Sequence, residues 1–262
     1  MRIGVSSACL YPLETEKAFS AIVENEIPVC EIFFNAVCEL EPNFINELKA
    51  IKQGGNTQVV SIHPTMSLAE SFVFFSAYER RYHEGLDDYK RYAQIAASLG
   101  AEYIIMHGGK PNGVLSDEQY FERFYEISKA VRENGATLLQ DNVVHFRAGD
   151  LDFLKKMADY LKDEARFCLD IKQSIRGGYS PFDVMDAVAD NIKHIHISDN
   201  TADNDCMIPQ KGSFDFKAFF DFALQKGYKG DSIIEVYRWA FGESSELFES
   251  HKTLCKKYFK NF

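Results

Sequence analysis

The segment IKHIHISD, residues 192–199, has the pattern that decides the fold. Histidine and isoleucine alternate from His194 to Ile197, and the segment ends in Ser198 and Asp199. A period of two is typical of a β-strand, whose successive side chains point to opposite faces. We therefore predict a strand over Ile192–Asn200 that gathers polar side chains at its carboxyl end.

Short segments of this kind alternate with longer amphipathic stretches from end to end. The predicted strands are Arg2–Ala8, Val29–Asn35, Gln58–Pro64, Tyr103–Gly109, Thr137–Asn142, Arg166–Lys172, Ile192–Asn200 and Ser232–Tyr237. The predicted helices are Glu14–Glu24, Asn43–Lys52, Tyr82–Leu99, Ser116–Asn134, Asp150–Leu161, Pro181–Asp190, Asp215–Lys226 and Ser245–Phe259. Strand–helix alternation predicts an α/β protein with a parallel sheet. Eight units in 262 residues favour one (β/α)8 TIM barrel domain spanning residues 1–262 over an open doubly wound sheet.

Composition and charge limit the function classes. The formal net charge of −10 argues against a nucleic-acid partner, because proteins that grip phosphate backbones usually carry a basic face. We expect a cytoplasmic protein, because the sequence shows neither a basic-then-apolar leader nor an apolar run long enough for a membrane span. A homo-oligomer is compatible with the sequence. The six cysteines form no CxxC pair and are expected to be reduced thiols: Cys9, Cys30, Cys38, Cys168, Cys206 and Cys255.

The longest irregular stretch is residues 65–81, after the third predicted strand. It contains Phe72, Phe74, Phe75 and Tyr78. Two interpretations remain open for so aromatic a loop at the rim of a barrel. It is either a lid over a ligand or a short helix packed on the rim.

Six successive predicted strands end in an ionisable side chain within apolar sequence. These side chains are His63, His107, Asp141, Asp170, His196 and Glu235. In a barrel the carboxyl ends of the strands form the active site. Taken singly, each histidine could be a hydrogen-bonded core residue, each aspartate a helix cap and the glutamate a salt-bridge partner. Together, six inward groups at one rim favour a divalent cation that replaces their lost hydration.

These segments resemble the xylose isomerase-like barrel superfamily, which includes sugar isomerases, ketose 3-epimerases and zinc-dependent apurinic endonucleases. The resemblance covers essentially the whole chain. It is carried by residues 62–64 (IHP), 107–109 (HGG), 169–170 (LD), 194–199 (HIHISD), 209–216 (PQKGSFDF) and 234–236 (IEV). The resemblance is specific for the superfamily and weak for the substrate.

The resemblance implies one divalent ion, Mn²⁺, Mg²⁺ or Zn²⁺, held by Asp141, Asp170, His196 and Glu235. His63 and His107 would lie beside it as substrate contacts or as part of a second site. Asp141 departs from the family pattern, which has glutamate there. The shorter side chain withdraws its carboxylate by roughly 1.5 Å.

Other departures argue against two branches of the superfamily. The third zinc of the endonucleases would fall near Gln173, Asn204 and Cys206, where the family has His, Asp and His. Amides are poor zinc ligands, so endonuclease activity is not expected. The positions that grip sugar hydroxyls in ketose 3-epimerases hold Arg147, Gln173 and Ala202 instead of Glu, His and Arg, which argues against a standard free-ketohexose epimerase.

Basic residues near the rim suggest a phosphate or carboxylate on the substrate, although they could equally be solvated loop charges. They are Lys110, Lys172, Lys211 and Arg238. We interpret Lys172, Lys211 and Arg238, together with His63, His107 and Gln173, as substrate-binding residues.

The resulting functional prediction is a metal-dependent isomerase or epimerase of a sugar or sugar phosphate. The metal would stabilise an enediolate while Asp141 and Glu235 remove and return a proton. Two alternatives remain: a metal-dependent dehydratase or lyase of the same superfamily, and a barrel that binds a sugar or a metal without catalysis. The sequence does not identify the substrate, the stereocentre, the metal or the oligomeric state.

Overall fold

Eight parallel strands close into a ring in the part of the chain that the computed structural model describes, residues 1–67 and 69–258. Each strand pairs with its neighbour in chain order, and the last pairs with the first. The predicted (β/α)8 barrel is therefore confirmed. The strands are β1 (Ile3–Ser6), β2 (Val29–Phe33), β3 (Gln58–His63), β4 (Tyr103–Met106), β5 (Thr137–Asp141), β6 (Phe167–Asp170), β7 (Ile192–Ile197) and β8 (Ser232–Ile234).

The α-helices lie between the strands and after the last one. They are α1 (Thr15–Glu24), α2 (Pro42–Gln53), α3 (Glu70–Val73), α4 (Glu79–Leu99), α5 (Asp117–Glu133), α6 (Leu151–Leu161), α7 (Ile171–Arg176), α8 (Pro181–Val188), α9 (Phe216–Gln225) and α10 (Ser244–Tyr258). All eight predicted helices have a counterpart. Phe259, the predicted end of the last helix, lies outside the described residues.

The local sequence determines where helix α5 begins. The Oγ atom of Ser116 accepts a hydrogen bond from the backbone N–H of Gln119 at 3.2 Å. In return, Oε1 of Gln119 accepts one from the backbone N–H of Ser116 at 2.9 Å. This capping box, predicted from the Ser-x-x-Gln spacing, satisfies two N–H groups that the first helical turn leaves free.

The structure corrects the prediction at the end of β6. The strand was predicted to run to Lys172, but it ends at Asp170, where α7 begins. The Oδ1 atom of Asp170 accepts a hydrogen bond from the backbone N–H of Gln173 at 3.1 Å and so caps α7. Lys172 consequently lies in the first turn of a helix.

The aromatic stretch, described at residues 65–67 and 69–81, packs on the rim through the short helix α3. Phe74 and Phe75 are buried, and the ring of Phe75 stacks on Tyr120 with centroids 4.0 Å apart. Phe72 and Tyr78 are exposed. Of the two interpretations, the short packed helix agrees with these positions.

Within the described part of the chain, no helix is long and apolar enough to cross a membrane.

Candidate functional site

A cavity of about 630 Å³ opens at the carboxyl ends of the strands. Seven of the ten predicted site residues line it: His63, His107, Asp141, Lys172, Gln173, Glu235 and Arg238. Asp170 and His196 are buried next to these residues rather than on the cavity wall. The volume is typical of a small-molecule site.

His63, His107 and Asp141 form what we call the histidine cluster, whose ligand-type atoms lie within 4.8 Å of one another. The hydroxyl of Ser67 donates to the carbonyl of Pro64 at 2.6 Å, so Nδ1 of His63 must donate to that hydroxyl, at 2.8 Å. The Nε2 atom of His63 is therefore left with a free lone pair. His107 Nδ1 and Asp141 Oδ1 are buried without a hydrogen-bond partner.

The turn after β4 fixes the position of His107. Gly108 has a φ of 88°, and a Cβ atom there would lie 2.1 Å from the hydroxyl of Tyr120. Only glycine fits both conditions. The backbone N–H of Gly108 donates to Oε2 of Glu70 at 2.7 Å, and Oε1 of this buried carboxyl group accepts from the hydroxyl of Tyr89 at 2.5 Å.

Asp170, Lys172, His196 and Glu235 form the lysine cluster. The ammonium of Lys172 donates to Oδ2 of Asp170 and to Oε2 of Glu235. The Nδ1 atom of His196 lies 3.5 Å from Oε2 of Glu235 and has no hydrogen-bond partner. The Lys172 side chain is only 3% exposed, so solvent contributes little to its charge balance.

Glu31, on β2, lies below the lysine cluster inside the barrel. Its carboxylate accepts hydrogen bonds from Ser6 at 3.1 Å and from Ser61 at 2.8 Å, which are its register partners on β1 and β3. It also lies 3.1 Å from Nε2 of His196. Because a carboxylate only accepts, Nε2 of His196 carries a proton, and Nδ1 faces the lysine cluster. Burial lowers the pKa of His196, but its acidic neighbours, Glu31 and Glu235 among them, raise it well above its ordinary value.

Burial and neighbouring charges set opposite protonation states for the cavity carboxyl groups. Burial, together with the charge of Asp170, raises the pKa of Asp141 well above its usual range. For Glu235, burial is outweighed by Lys172 and His196, which hold its pKa well below the usual range.

The basic groups of the two clusters also differ. Burial lowers the pKa of His107 well below its ordinary value and also lowers that of His63, so both rings are neutral. For Lys172, burial is outweighed by Asp170 and Glu235, which raise its pKa well above its ordinary value. Lys172 is therefore an ammonium ion and not a free amine nucleophile.

The two clusters differ in their fit to a divalent ion. The histidine cluster offers neutral imidazoles and buried atoms without partners, which suits a metal ligand set. Asp170, His196 and Glu235 also converge within 4.8 Å, but the ammonium of Lys172 already bonds to both of their carboxylates. These three residues do not fit a divalent ion while Lys172 stays in place.

The structure separates some predicted substrate contacts from the cavity. Lys211 and Lys110 are exposed and are not among the lining residues. Gln173 lines the cavity, and its Oε1 accepts from the backbone N–H of Val144 at 3.2 Å. Arg238 lines the cavity and donates to the carbonyl of Phe241 at 2.9 Å.

Two buried glutamates and a pair of aromatic residues at the cavity mouth were not identified from the sequence. Glu31 has the same signal as the predicted residues, a lone carboxylate in the apolar strand 29–33. Glu70 lies in the irregular stretch and carries no such signal. Tyr237 and Trp239, both exposed at the cavity mouth, stack with ring centroids 5.5 Å apart.

Solved structures with the same fold include proteins of several activities. The chain aligns with a D-tagatose 3-epimerase-like protein at 19% identity and a TM-score of 0.81, covering 99% of this chain and 97% of that one. It aligns with the IolI protein, whose structure holds a zinc atom, at 16% identity and a TM-score of 0.77, covering 99% of both chains. It aligns with the probable 3-DHS dehydratase AsbF of Bacillus anthracis at 13% identity and a TM-score of 0.75, covering 97% and 98%.

At these identities the solved structures establish the fold alone. No curated protein matches the sequence significantly. The family model described as the xylose isomerase-like TIM barrel matches residues 21–254, which is most of the chain. The resemblance read from the strand-end motifs is thereby confirmed, and the protein belongs to the xylose isomerase-like TIM barrel family.

Proposed function

We propose that the protein is an isomerase or epimerase that moves a proton on a carbon next to the carbonyl of a carbohydrate. The observation that carries this proposal is the pair Asp141 and Glu235. Both line one cavity, and their surroundings shift the pKa of Asp141 upward and that of Glu235 downward. Two carboxyl groups held in opposite protonation states are suited to act as acid and base.

The ionised carboxylate of Glu235 would take the proton from the carbon, and the protonated carboxyl of Asp141 would return one. Delivery to the opposite face of the same carbon inverts the stereocentre, which is epimerisation. Delivery to the neighbouring carbon, with the hydroxyl proton passing to the former carbonyl oxygen, moves the carbonyl, which is isomerisation. Both outcomes leave the composition of the substrate unchanged.

The cavity wall supports a carbohydrate as the substrate. Polar groups that can bond to hydroxyls are mixed with aromatic rings that can pack against the apolar faces of a sugar ring. The aromatic residues of the wall are Tyr11, Phe33, Phe34, Phe146, Tyr237 and Trp239.

The basic groups favour an uncharged sugar over a sugar phosphate. Lys110 and Lys211 are exposed away from the lining, and Lys172 is held by two carboxylates. Of the four basic residues predicted for the rim, this leaves Arg238 facing the cavity without a carboxylate partner in the described structure. One arginine is a weak basis for a phosphate site.

We also propose that the reaction depends on a divalent metal ion. The histidine cluster would hold a divalent ion through His63 and His107, and Asp141 would join them as a ligand only in its ionised form, after it has given up its proton. When bound there, the ion would supply Lewis-acid polarisation of a substrate oxygen. The chain itself supplies the proton transfer groups and the orientation of the substrate.

A dehydratase is the second candidate, because the protonated carboxyl of Asp141 could equally protonate a departing hydroxyl group. The fold is shared with the probable dehydratase AsbF. The two candidates differ in product composition, since elimination releases water and epimerisation does not. A barrel that only binds its ligand would give neither product.

The test is hydrogen exchange in D₂O, followed by NMR and mass spectrometry on a panel of ketoses and keto-glycosides. Wild-type protein should introduce deuterium next to the carbonyl. Asp141→Asn and Glu235→Gln should each slow this exchange by about 100-fold or more. Lys110→Met, an exposed neighbour of the rim, should exchange as fast as wild type.

Exchange that survives both carboxyl substitutions would refute the assignment of the acid and the base. A product that has lost water would favour the dehydratase. Saturable binding of panel sugars without exchange would favour the non-catalytic barrel.

A further inference from the structure

Lys172 holds an unusual position for a lysine in a ligand-binding barrel. It is the second residue of α7, and its side chain is 3% exposed. Its ammonium lies between Oδ2 of Asp170 and Oε2 of Glu235, and it lies 5.9 Å from the centroid of the Tyr237 ring. Bulk water does not hydrate an ammonium enclosed in this way, so hydrogen bonds and ion pairs with neighbouring side chains must replace the lost hydration.

Both carboxylate oxygens of Asp170 already accept a hydrogen bond from within the chain. Its Oδ1 accepts from the backbone N–H of Gln173 at 3.1 Å, which caps α7, and its Oδ2 accepts from Lys172. Releasing either oxygen for another ligand would break the helix cap or the ion pair. The cap also fixes where the first turn of α7 begins and therefore where Lys172 projects.

Glu235 and His196 complete the arrangement around the same point. Oε2 of Glu235 accepts from Lys172 and lies 3.5 Å from Nδ1 of His196. Donor atoms of Asp170, His196 and Glu235 converge within 4.8 Å, which is the geometry of a candidate divalent-ion site. Two of those three side chains, Asp170 and Glu235, already share a cation supplied by the chain.

We propose that the Lys172 ammonium is the resident cation of the lysine cluster, in the place that a divalent ion would otherwise take. The two cations exclude each other. A divalent ion bonded at about 2 Å to the oxygens of Asp170 and Glu235 would lie next to the ammonium bonded to the same oxygens, and the two positive charges would repel each other. This inference deepens the proposed function: the fixed charge stands beside Glu235, where it can stabilise an oxyanion formed during proton transfer.

The test is Mn²⁺ binding by equilibrium dialysis with metal analysis, on full-length protein stripped with chelator. The competition predicts that Lys172→Met, which removes the charge and keeps most of the volume, binds Mn²⁺ at least about tenfold more tightly than wild type. Lys172→Arg keeps the charge and should bind as weakly as wild type. Lys110→Met removes an exposed lysine near the same rim and should also match wild type.

Two further variants locate any ion that wild-type protein binds. An ion held by the histidine cluster is lost in His107→Ala and kept in Asp170→Asn, and this outcome agrees with the proposal. An ion that is lost in Asp170→Asn and kept in His107→Ala would overturn it, since the lysine cluster would then hold a metal with Lys172 present. Equal Mn²⁺ affinity in wild type and folded Lys172→Met would also overturn it.

Wild-type protein alone decides the question if Lys172→Met does not fold. In ¹⁵N NMR the Lys172 ammonium should give a signal that saturating diamagnetic Mg²⁺ leaves in place, because the ammonium keeps its two carboxylate partners. Displacement of that signal by Mg²⁺ would overturn the proposal. These readouts are independent of turnover, so failure of the hydrogen exchange test would refute the proposed function and leave this inference standing.

Discussion

The histidine cluster and the lysine cluster face one cavity, yet they balance their buried polar groups in different ways. In the lysine cluster the carboxylates of Asp170 and Glu235 share an ammonium from the chain itself. In the histidine cluster, His107 Nδ1 and Asp141 Oδ1 remain buried without partners. Buried polar atoms normally have partners. The chain itself supplies a cation to both carboxylates of the lysine cluster, where only Nδ1 of His196 is without a partner, whereas the histidine cluster leaves a carboxyl oxygen as well as an imidazole nitrogen without one.

The difference shows why identical ligand-type residues do not imply identical sites. Both clusters offer histidine and carboxylate atoms within 4.8 Å of one another. One lysine, two residues after Asp170, bonds to both carboxylates of its own cluster and so changes the charge balance there. The charge of the neighbours therefore decides what each cluster can bind.

Removing the charge of Lys172 should give the largest change. Lys172→Met leaves two buried carboxylates without a cation and should lower the free energy of unfolding by about 3 to 5 kcal/mol, measured by urea denaturation at pH 7. Lys110→Met should change it by less than about 0.5 kcal/mol. Mn²⁺ should restore part of the loss in Lys172→Met, because a ligand that binds the folded state stabilises it. Equal stability of the two variants would show that the ion pairs do not stabilise the lysine cluster.

Glu70, which bonds to the turn beside the histidine cluster, should make the stability of the protein depend on pH. Burial raises the pKa of Glu70 to about 8, while Tyr89 and the backbone N–H of Gly108 partly oppose this shift. The folded protein then keeps a proton that the unfolded chain releases near its ordinary pKa of 4.5. Stability should therefore fall as the pH rises from about 4.5 to about 8, by up to roughly 5 kcal/mol, and level off above that.

Glu70→Gln is the matched control for this pH dependence. Its amide does not ionise, so the difference in stability from wild type should grow in favour of the variant between pH 5 and pH 9. Thermal melting at each pH measures it. Parallel curves for the two proteins would mean that Glu70 does not titrate in this range.

Lengthening Asp141 should improve metal binding in the histidine cluster. A tetrahedral ion bonded at about 2 Å needs donor atoms roughly 3.3 Å apart, and those of the cluster lie within an upper limit of 4.8 Å, so a longer side chain at position 141 has room to bring its carboxylate closer to the ion. Asp141→Glu extends the carboxylate by roughly 1.5 Å and should tighten Zn²⁺ binding by about tenfold, measured by calorimetry. Unchanged or weaker binding would show that the shorter side chain is not a defect of the site.

The smallest expected effects concern two predicted substrate contacts, Arg238 and Lys211. Arg238 lines the cavity, and Arg238→Met should weaken binding of a panel sugar about three- to tenfold. Lys211 is exposed outside the lining, so Lys211→Met should leave the affinity unchanged. Titration of ligand binding checks both variants, and the reverse order of effects would show that the substrate approaches along the loop of Lys211.

The sequence predicts the barrel well, because alternation, capping residues and glycines are local signals. The capping box at Ser116 and the order of all eight strands follow from them. Seven of ten predicted site residues face the cavity because strand ends meet at one rim. The four predicted metal ligands remain a prediction. The role of Lys172 could not be foreseen, because it depends on the cap at Asp170, which turns an apparent strand residue into a helical one.

The buried glutamates show the other limit of sequence reasoning. Glu31 is bonded by Ser6 and Ser61, which are distant in sequence and meet only when β1, β2 and β3 align. Glu70 reaches Gly108 across the rim from a stretch without periodicity. Both contacts depend on register and loop packing, which no single segment specifies.

The stacked pair Tyr237 and Trp239 makes the site observable by optical means. Trp239 is the single tryptophan of the chain, and it is 64% exposed at the cavity mouth. Its indole emission therefore comes from one known position, without background from a second tryptophan. A ligand that enters past Trp239 should change the colour and the intensity of that emission, so the unmodified protein carries its own fluorescent reporter for screening unknown substrates.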